Sequence, residues 1–560
     1  MSDKRTVADV LSRLSFAHEL LEDKSQRGKT YAAASRTVWQ LTGEIAPMLA
    51  SGALADVRGL GPKTIEVIRT VLDGGIPEEL TELEAKIPSS LFELRRIKGL
   101  GPAKIRGLWK GLEITSLAEL EQACAENRLV ELQGFGKKTQ DNIASAIAEL
   151  RAHEGTLLRD GAEERMQTLL ARLSGAGLVA RAVGAVVRGE ETIDRLEVLV
   201  VGEVGPAMEA LAGVGVAGGK LDGTKVIVHT ARADELGVSE LWLTSSEAHV
   251  RALIGEAKKK GLTLSERTLD GAAGVIACAS ADEVYRALDL HPTPPERRDE
   301  GTPLVHVGKA RPKLVTRADL RGALHNHTVA SDGTATLAEM REAAKKAGLS
   351  YLGISEHSQS ADYARGLSVE RLHAQGREIA SENARDPSGP LLLSGIESDI
   401  LADGSLDYLD DELAGLDVVV ASGHRRFGLS REETTARMVK AASHPRTDVL
   451  GHPTGRLLLG RPPNDFDMEA FLDACAKNGA AVELNGSPHR LDLSAEHLAM
   501  AKARGVVVSI AADAHATDEF EHLDHGITIA RRAGLTAEDV LNARTASELK
   551  TWLAARRARV

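Results

Sequence analysis

The stretch "GALHNHTVASDG", residues 322–333, sets His325 and His327 two apart at the end of a short apolar run, with Asp332 five residues further on. Side chains at i and i+2 of a strand share a face, so the two imidazoles converge. The pattern recurs downstream. Seven apolar, β-branched-rich segments alternate with helical patterns such as "LAEMREAAKKAGL" and "MEAFLDACAKNG", which indicates repeated βα units and a parallel sheet or barrel. The segments are "GALHNH", "YLGISEH", "LLLSGIES", "DVVVASGH", "DVLGHP", "AAVELNG" and "VVVSIAADAH". Six of them run into a metal-ligand residue at the carboxyl end: His325 and His327, His357, Glu397, His424, His452, then Asp513 with His515. In a closed parallel barrel all these ends open on one face.

A single histidine at a strand end is usually a hydrogen-bonded loop residue. Eight such residues together, with Asp332, are not explained that way. Imidazole and carboxylate donors without thiolates fit Zn²⁺, Mn²⁺ or Fe, and nine ligands exceed what one or two ions need. The expectation is two or three divalent ions performing metal-assisted phosphoester hydrolysis, with Glu397, Asp513 and His424 as catalytic members.

Composition narrows the setting. The chain has 560 residues, 43% hydrophobic and 27% charged, enough for roughly three or four domains. No apolar run reaches the ~18 residues of a spanning helix, and "MSDKRTVADV" lacks a secretory apolar core, so the expected compartment is the cytoplasm. Cys124, Cys278 and Cys475 are too scattered for a disulfide framework or a CxxC site and read as buried thiols. Twelve of the 18 histidines fall between residues 322 and 560. The net charge of −12 argues against indiscriminate nucleic-acid binding, but residues 1–151 hold 21 Lys+Arg against 21 Asp+Glu, so the acidic excess lies beyond them.

With "HNHTVASDG", "SEHS", "GIESDILADGSLD", "ASGH", "LGHPTGRLL", "ELNGSPHRLDL" and "AADAH", residues 320–560 resemble a PHP (polymerase and histidinol phosphatase) domain. That resemblance implies a distorted seven-stranded barrel with a trinuclear metal centre. It also implies that His325, His327, Asp332, His357, Glu397, His424, His452, Asp513 and His515 fill all nine metal-binding positions. The one departure, "SEH" where the family usually reads TDH, keeps the ligand His357.

Three stretches near the N-terminus share a second pattern: "VRGLGPKTIEVI" (57–68), "IKGLGPAKIRGL" (97–108) and "LQGFGKKTQDNI" (132–143). Each pairs a GxG turn with a following helix, whose backbone N–H groups cradle a phosphate. Three copies resemble helix-hairpin-helix DNA-binding units. The expected contacts are Gly59, Gly61 and Lys63, then Gly99, Gly101 and Lys104, then Gly134, Gly136 and Lys137 with Lys138, all reading backbone rather than sequence. Binding should be local and weakened by salt. Lys24 and Lys29 carry no pattern that assigns them a lyase role.

Residues ~155–290 read α/β, with "ARAVGAVVRGEETIDRLEVLVVG" followed by "TKVIVHTARADELGVSELWLTSSEAHVRAL", and resemble the palm and thumb of a family X DNA polymerase. The whole chain then matches the bacterial form of that family with a C-terminal PHP domain. The family's GSxRRGxETxGDIDxLV pattern is altered here. Arg195 and Glu197 stand where paired aspartates hold catalytic magnesium, Ile227 stands for the third aspartate, and Ala185 for the triphosphate-contacting serine. Gly184 and Arg188 remain, and a TGSxxHN stretch reads "TSSEAHV". A guanidinium and an alkyl chain invert the charge that two-metal phosphoryl transfer needs, so the palm is expected to be degenerate. A register shift that lets Asp194 or Asp222 serve instead is the competing reading.

The expected architecture is therefore multidomain α and α/β. A helical DNA-binding domain (1–85) and a fingers-like helix-hairpin-helix domain (86–153) precede a degenerate nucleotidyltransferase-like palm and thumb (154–290), a linker (291–319) and a PHP barrel (320–560). The expected function is a DNA-binding, metal-dependent 3′-5′ exonuclease or end-processing phosphoesterase of DNA repair, acting without sequence specificity on ends or gaps. Competing classes are an active family X polymerase with an exonuclease in base excision repair, a non-catalytic DNA-binding scaffold, and a small-molecule phosphatase.

Overall fold

A computed structural model describes residues 3–22, 26–41, 45–132 and 134–558. It divides into two compact units, Met1–Glu154 and Gly155–Val560. No helix among the described residues is long and apolar enough to cross a membrane.

The first unit is helical. Its three GxG turns share one backbone geometry. Gly59, Gly99 and Gly134 have φ of +99°, +88° and +90°, a region that residues with a Cβ rarely enter. Gly61, Gly101 and Gly136 are extended at φ −80°, −80° and −83° and cap the helices Pro62–Leu72, Pro102–Leu112 and Lys137–Ala152. Proline opens the first two helices, where its missing N–H leaves no bond unmade. Leu11, Leu54 and Ile68 belong to one buried core, and Leu91, Ile105 and Ile143 to another.

The second unit begins with a four-stranded sheet of β1 (Ala180–Val183), β2 (Arg195–Val201), β3 (Lys220–Leu221) and β4 (Thr224–Ala231). Its spatial order is β1-β2-β4-β3, with β2 and β4 parallel. Helices Arg159–Gly175 and Val204–Ala212 cover one face through Met166, Leu169, Leu173, Ala207 and Leu211. Helices Leu236–Leu243, Glu247–Lys259 and Ala281–Ala287 follow, with a small three-stranded sheet. The segment 291–319, expected as a linker, is an ordered strap. Arg531 Nε meets Glu296 Oε1 at 2.6 Å, Arg297 Nη1 donates to Arg532 O at 2.6 Å, and Val315 N donates to Leu535 O at 3.0 Å.

The third element set is a parallel seven-stranded sheet in sequence order: β5 (Gly322–Ala323), β6 (Tyr351–Ile354), β7 (Leu391–Asp399), β8 (Val418–Ser422), β9 (Val449–Gly451), β10 (Ala481–Asn485) and β11 (Val508–Ala511). All seven strand candidates are present. Strands buried on both faces read as continuous apolar runs. Val419, Ala421, Leu450, Val482 and Ile510 face the outer helices, while Leu393, Val420, Val449 and Ala481 fill the interior against Leu549 and Leu553 of helix Ala546–Arg557. Closure between β5 and β11 is made by other means. The Asn542 side chain donates to Gly322 O and Ile510 O, both at 2.8 Å, and accepts from Ile510 N at 3.0 Å; His327 N donates to Ala514 O at 2.8 Å.

Candidate metal centre

Strand alternation places the site. The interior parity that carries Leu393, Val420 and Ala481 continues upward as Glu397, Ser422 and Glu483, so an apolar floor turns polar at the carboxyl ends. All nine sequence-expected ligands meet there, in four overlapping groups: His327, Asp332, His357 and His515; His325, Glu397 and His452; His325, His327 and Asp513; His357, Glu397 and His424. Glu397 is the hub. Its carboxylate lies 3.3 Å from His325 Nε2, 2.8 Å from His357 Nδ1 and 3.1 Å from both His424 Nε2 and His452 Nε2. Asp513 Oδ1 lies 3.4 Å from His325 Nε2 and 3.2 Å from His327 Nε2. Asp332 Oδ1 lies 3.3 Å from His515 Nε2 and 3.4 Å from His357 Nε2.

Buried polar atoms almost always find hydrogen-bond partners. Here His325 Nε2, both ring nitrogens of His327, His357 Nδ1 and both Glu397 oxygens are buried without one. A converging set of orphaned nitrogen and oxygen atoms, free of sulfur, fits divalent cations.

Electrostatics agree. Burial opposes charge on every member, yet the Glu397 and Asp332 carboxylates lift His357 to about 10, and Glu397 with Asp399 lifts His424 to about 9. Against the same burial, the surrounding imidazoles hold Glu397 and Asp513 well below the usual carboxylate range. His327, fully buried and beside His515, drops to about 3 and offers neutral ring nitrogens. The cluster is built to hold cationic charge, by protons or by metal.

A second layer orients the ligands, and it was not assigned from the sequence. His325 Nδ1 lies 2.7 Å from Glu483 Oε2, so its N–H donates there and Nε2 is left bare toward Glu397 and Asp513. His424 Nδ1 is paired with Asp399 in the same way. Asn485 Nδ2 donates to Glu483 Oε1 at 3.1 Å and Asp513 Oδ2 at 3.0 Å. The available signal was the strand "AAVELNG", the one strand without a ligand, which carries a carboxylate and an amide two apart.

The remaining expected sites lie elsewhere. Glu197 sits directly opposite Ile227 on the neighbouring parallel strand, and Arg195 opposite Lys225. Arg195 Nε lies 3.2 Å from Asp194 Oδ1 and 3.5 Å from Glu197 Oε1. Gly184 has φ +73°, and a Cβ there would strike the Glu197 carboxylate; the neighbouring Ala185 is buried. Arg188 Nε donates to Glu190 Oε1 at 3.0 Å. Asp222 lies in the β3–β4 turn, 3.4 Å from Arg165 Nη2. Among the described residues no group of three potential metal ligands forms in this sheet. In the first unit, Lys104 Nζ donates to Gly99 O at 3.0 Å, Lys63 Nζ lies 3.6 Å from Glu79 Oε2, and Lys137 opens its helix. Lys24 lies outside the described residues.

Residues 91–149 match the SAM-like helix-hairpin-helix tandem family, and residues 240–299 the DNA polymerase beta thumb family. The chain is 30% identical to the DNA polymerase/3′-5′ exonuclease PolX of Bacillus subtilis (strain 168) over 572 residues, covering 98% of this chain and 99% of that protein. It is also similar to probable phosphatases. One from Thermoanaerobacter sp. (strain X514) is 28% identical over 232 residues, 39% of this chain and 88% of the relative. One from Shewanella halifaxensis (strain HAW-EB4) is 30% identical over 243 residues, 41% of this chain and 92% of the relative.

Proposed function

This chain belongs to the family of the DNA polymerase/3′-5′ exonuclease PolX, and on that footing we propose that it is a DNA-binding, metal-dependent phosphoesterase whose polymerase palm does not polymerise. The reaction is 3′-5′ exonucleolytic cleavage or end processing in DNA repair, carried out in the barrel of residues 320–560. DNA enters without sequence preference through the helix-hairpin-helix turns of residues 1–85 and 86–153. The observation that carries the reading is a contrast. Nine nitrogen and oxygen ligands converge in the barrel, while the palm offers Arg195, Glu197 and Ile227 side by side.

Two or three Zn²⁺, Mn²⁺ or Fe ions bound by the nine ligands would supply Lewis-acid polarisation of the phosphodiester and of water. The chain's own part is positioning. Glu397 and Asp513 concentrate anionic charge at the floor and separate the imidazoles into sub-sites. Asp399 keeps the His424 proton on Nδ1 and directs Nε2 inward. Glu483 does the same for His325. In the palm, Arg195 brings a permanent cation to a place that needs oxygen ligands, and Ile227 supplies none.

The test incubates labelled primer–template DNA with Mn²⁺, with and without dNTPs. The primer should shorten under both conditions, and Glu397→Ala should abolish shortening while DNA binding persists. A His327→Ala, Asp513→Ala protein should neither shorten nor extend the primer. Template-directed extension by that double variant, lost again on Glu197→Ala, would sink the palm assignment. Digestion by Glu397→Ala at the wild-type rate would sink the barrel assignment.

A further inference from the structure

We propose that Tyr363 is the platform on which the terminal nucleobase of a DNA strand stacks while its last phosphodiester lies among the barrel ligands. The barrel then selects polynucleotide ends over small phosphate esters. This rests on the exonuclease reading above and names the group that would give it its substrate class.

Tyr363 stands out among the chain's five tyrosines. Tyr31, Tyr285, Tyr351 and Tyr408 are buried, whereas Tyr363 is 66% exposed. It stands beside the metal centre, with ring centroids 6.1 Å from His357 and 6.5 Å from His424, both in the ligand groups. The display is fixed rather than loose. Tyr363 occupies the turn Asp362–Ala364, flanked by the fully buried Ala361 and by the buried Ala364. The same loop is tied by Gly366 N to Ala361 O at 3.1 Å, by Leu367 N to His357 O at 2.8 Å and by Tyr408 Oη to Leu367 O at 2.5 Å. A rigid aromatic ring shown to solvent beside an active site forgoes burial and needs a partner with a flat apolar face.

The surroundings indicate which partner. Arg425 Nη2 donates to Ser360 O at 2.6 Å, at the foot of the same loop, and Arg461 Nε donates to Gly455 O at 2.9 Å, in the loop after His452. Arg426 is tied to Pro462 O. Each guanidinium is anchored through a backbone carbonyl, and among the described residues none makes a close ion pair with a carboxylate, Asp492 acting on Arg461 only at longer range. In a chain of net charge −12, unpaired arginines at the mouth of an anion-processing site suit the flanking phosphates of a strand. A flat ring next to them suits the base, and such stacking tolerates any sequence because every base has a π-face.

The test uses the full chain with Mn²⁺ and a single strand ending in an ordinary nucleotide or in an abasic residue. Wild type should remove the ordinary end about five- to a hundredfold faster in kcat/KM than the abasic one. Tyr363→Phe should keep that preference. Tyr363→Ala should remove both ends at the abasic rate. Retained preference in Tyr363→Ala, or an equal loss on both ends, would overturn the platform. A strand ending in 2-aminopurine adds a readout without cleavage: its fluorescence should fall on binding wild type and Tyr363→Phe, but not Tyr363→Ala. No fall with wild type overturns the platform even where the strand is digested, while a fall without digestion sinks the exonuclease reading alone.

Discussion

Replacing Glu483 by Gln removes one charge and almost no volume from the layer behind the metal centre, so its effect isolates the orientation of one ligand. Glu483 is fully buried and accepts from His325 Nδ1 at 2.7 Å, Asn485 Nδ2 at 3.1 Å and His452 N at 3.2 Å. Three donors converge on two acceptor oxygens. A glutamine offers one oxygen and two more N–H donors, so an N–H must face either His325 or the Asn485–His452 pair. Asn485 cannot simply turn over, because the same amide nitrogen also serves Asp513 Oδ2. The relaxed answer moves the His325 proton to Nε2, the atom that faces Glu397 at 3.3 Å and Asp513 at 3.4 Å, and blocks it as a ligand. Loss of such an orienting partner costs about 10- to 100-fold in metal affinity, or ~1.4–2.8 kcal/mol. Competition with a chelator should measure that loss. The rate of 3′-nucleotide release should fall at limiting Mn²⁺ and recover at high Mn²⁺. Wild-type metal affinity together with a wild-type rate in Glu483→Gln would refute the tautomer argument.

Gly99→Val forces a β-branched residue into a φ of +88°, at a backbone cost of about 1–2 kcal/mol, and should weaken DNA binding by the full chain. Anisotropy titrations across salt should give a log–log slope of about −0.9 per duplex phosphate contact, and an unchanged affinity would return this hairpin to an ordinary turn. His249 is buried beside Arg298 and bonded to Tyr285 Oη at 2.7 Å, and its pKa falls to about 4. Folding therefore disfavours its proton: His249 leaves stability untouched above its unfolded value of 6.5 and removes it as pH falls from there toward about 4. Urea melts of His249→Gln should lose about 2 kcal/mol less than wild type between pH 7 and pH 5, and parallel losses would refute the assignment.

Legibility followed sequence distance. The seven barrel strands were readable because strands buried on both faces are apolar throughout, and the convergence of the nine histidines and carboxylates because strand ends punctuate those runs. The hairpins were readable because one turn geometry needs glycine at a left-handed position, three times over. What could not be read depends on partners far along the chain. "HPTPPERRDEGTP" has linker composition, but Glu296 and Arg297 are held by Arg531 and Arg532, 235 residues away. Asn542 closes the barrel from a position 220 residues beyond Gly322. Glu483 looked like an ordinary strand residue until its parity placed it inside.

The same distance rule bears on the palm. Its sheet carries Arg195, Glu197 and Ile227, and the loop after Gly184 is tied to the barrel. Glu191 Oε1 meets Arg456 Nη2 at 2.8 Å, and Arg456 Nε donates to Arg490 O at 2.9 Å. Arg456 lies in the loop that follows His452, and Arg490 lies 3.8 Å from the ligand Asp513. A Cβ on Gly189, at φ +73°, would run into the Thr528 side chain of helix His522–Arg532, so the glycine lets this loop lie against that helix. Within the palm, the buried Arg159 holds the same loop, donating to Glu190 O and Val186 O at 3.3 Å each. Truncating one member of a desolvated, bonded charge pair costs far more than the pair contributes over apolar replacements. On the palm assignment proposed above, this packing role does not depend on metal-binding carboxylates, whereas removing the palm would strip Arg456, in the loop after His452, of its Glu191 partner.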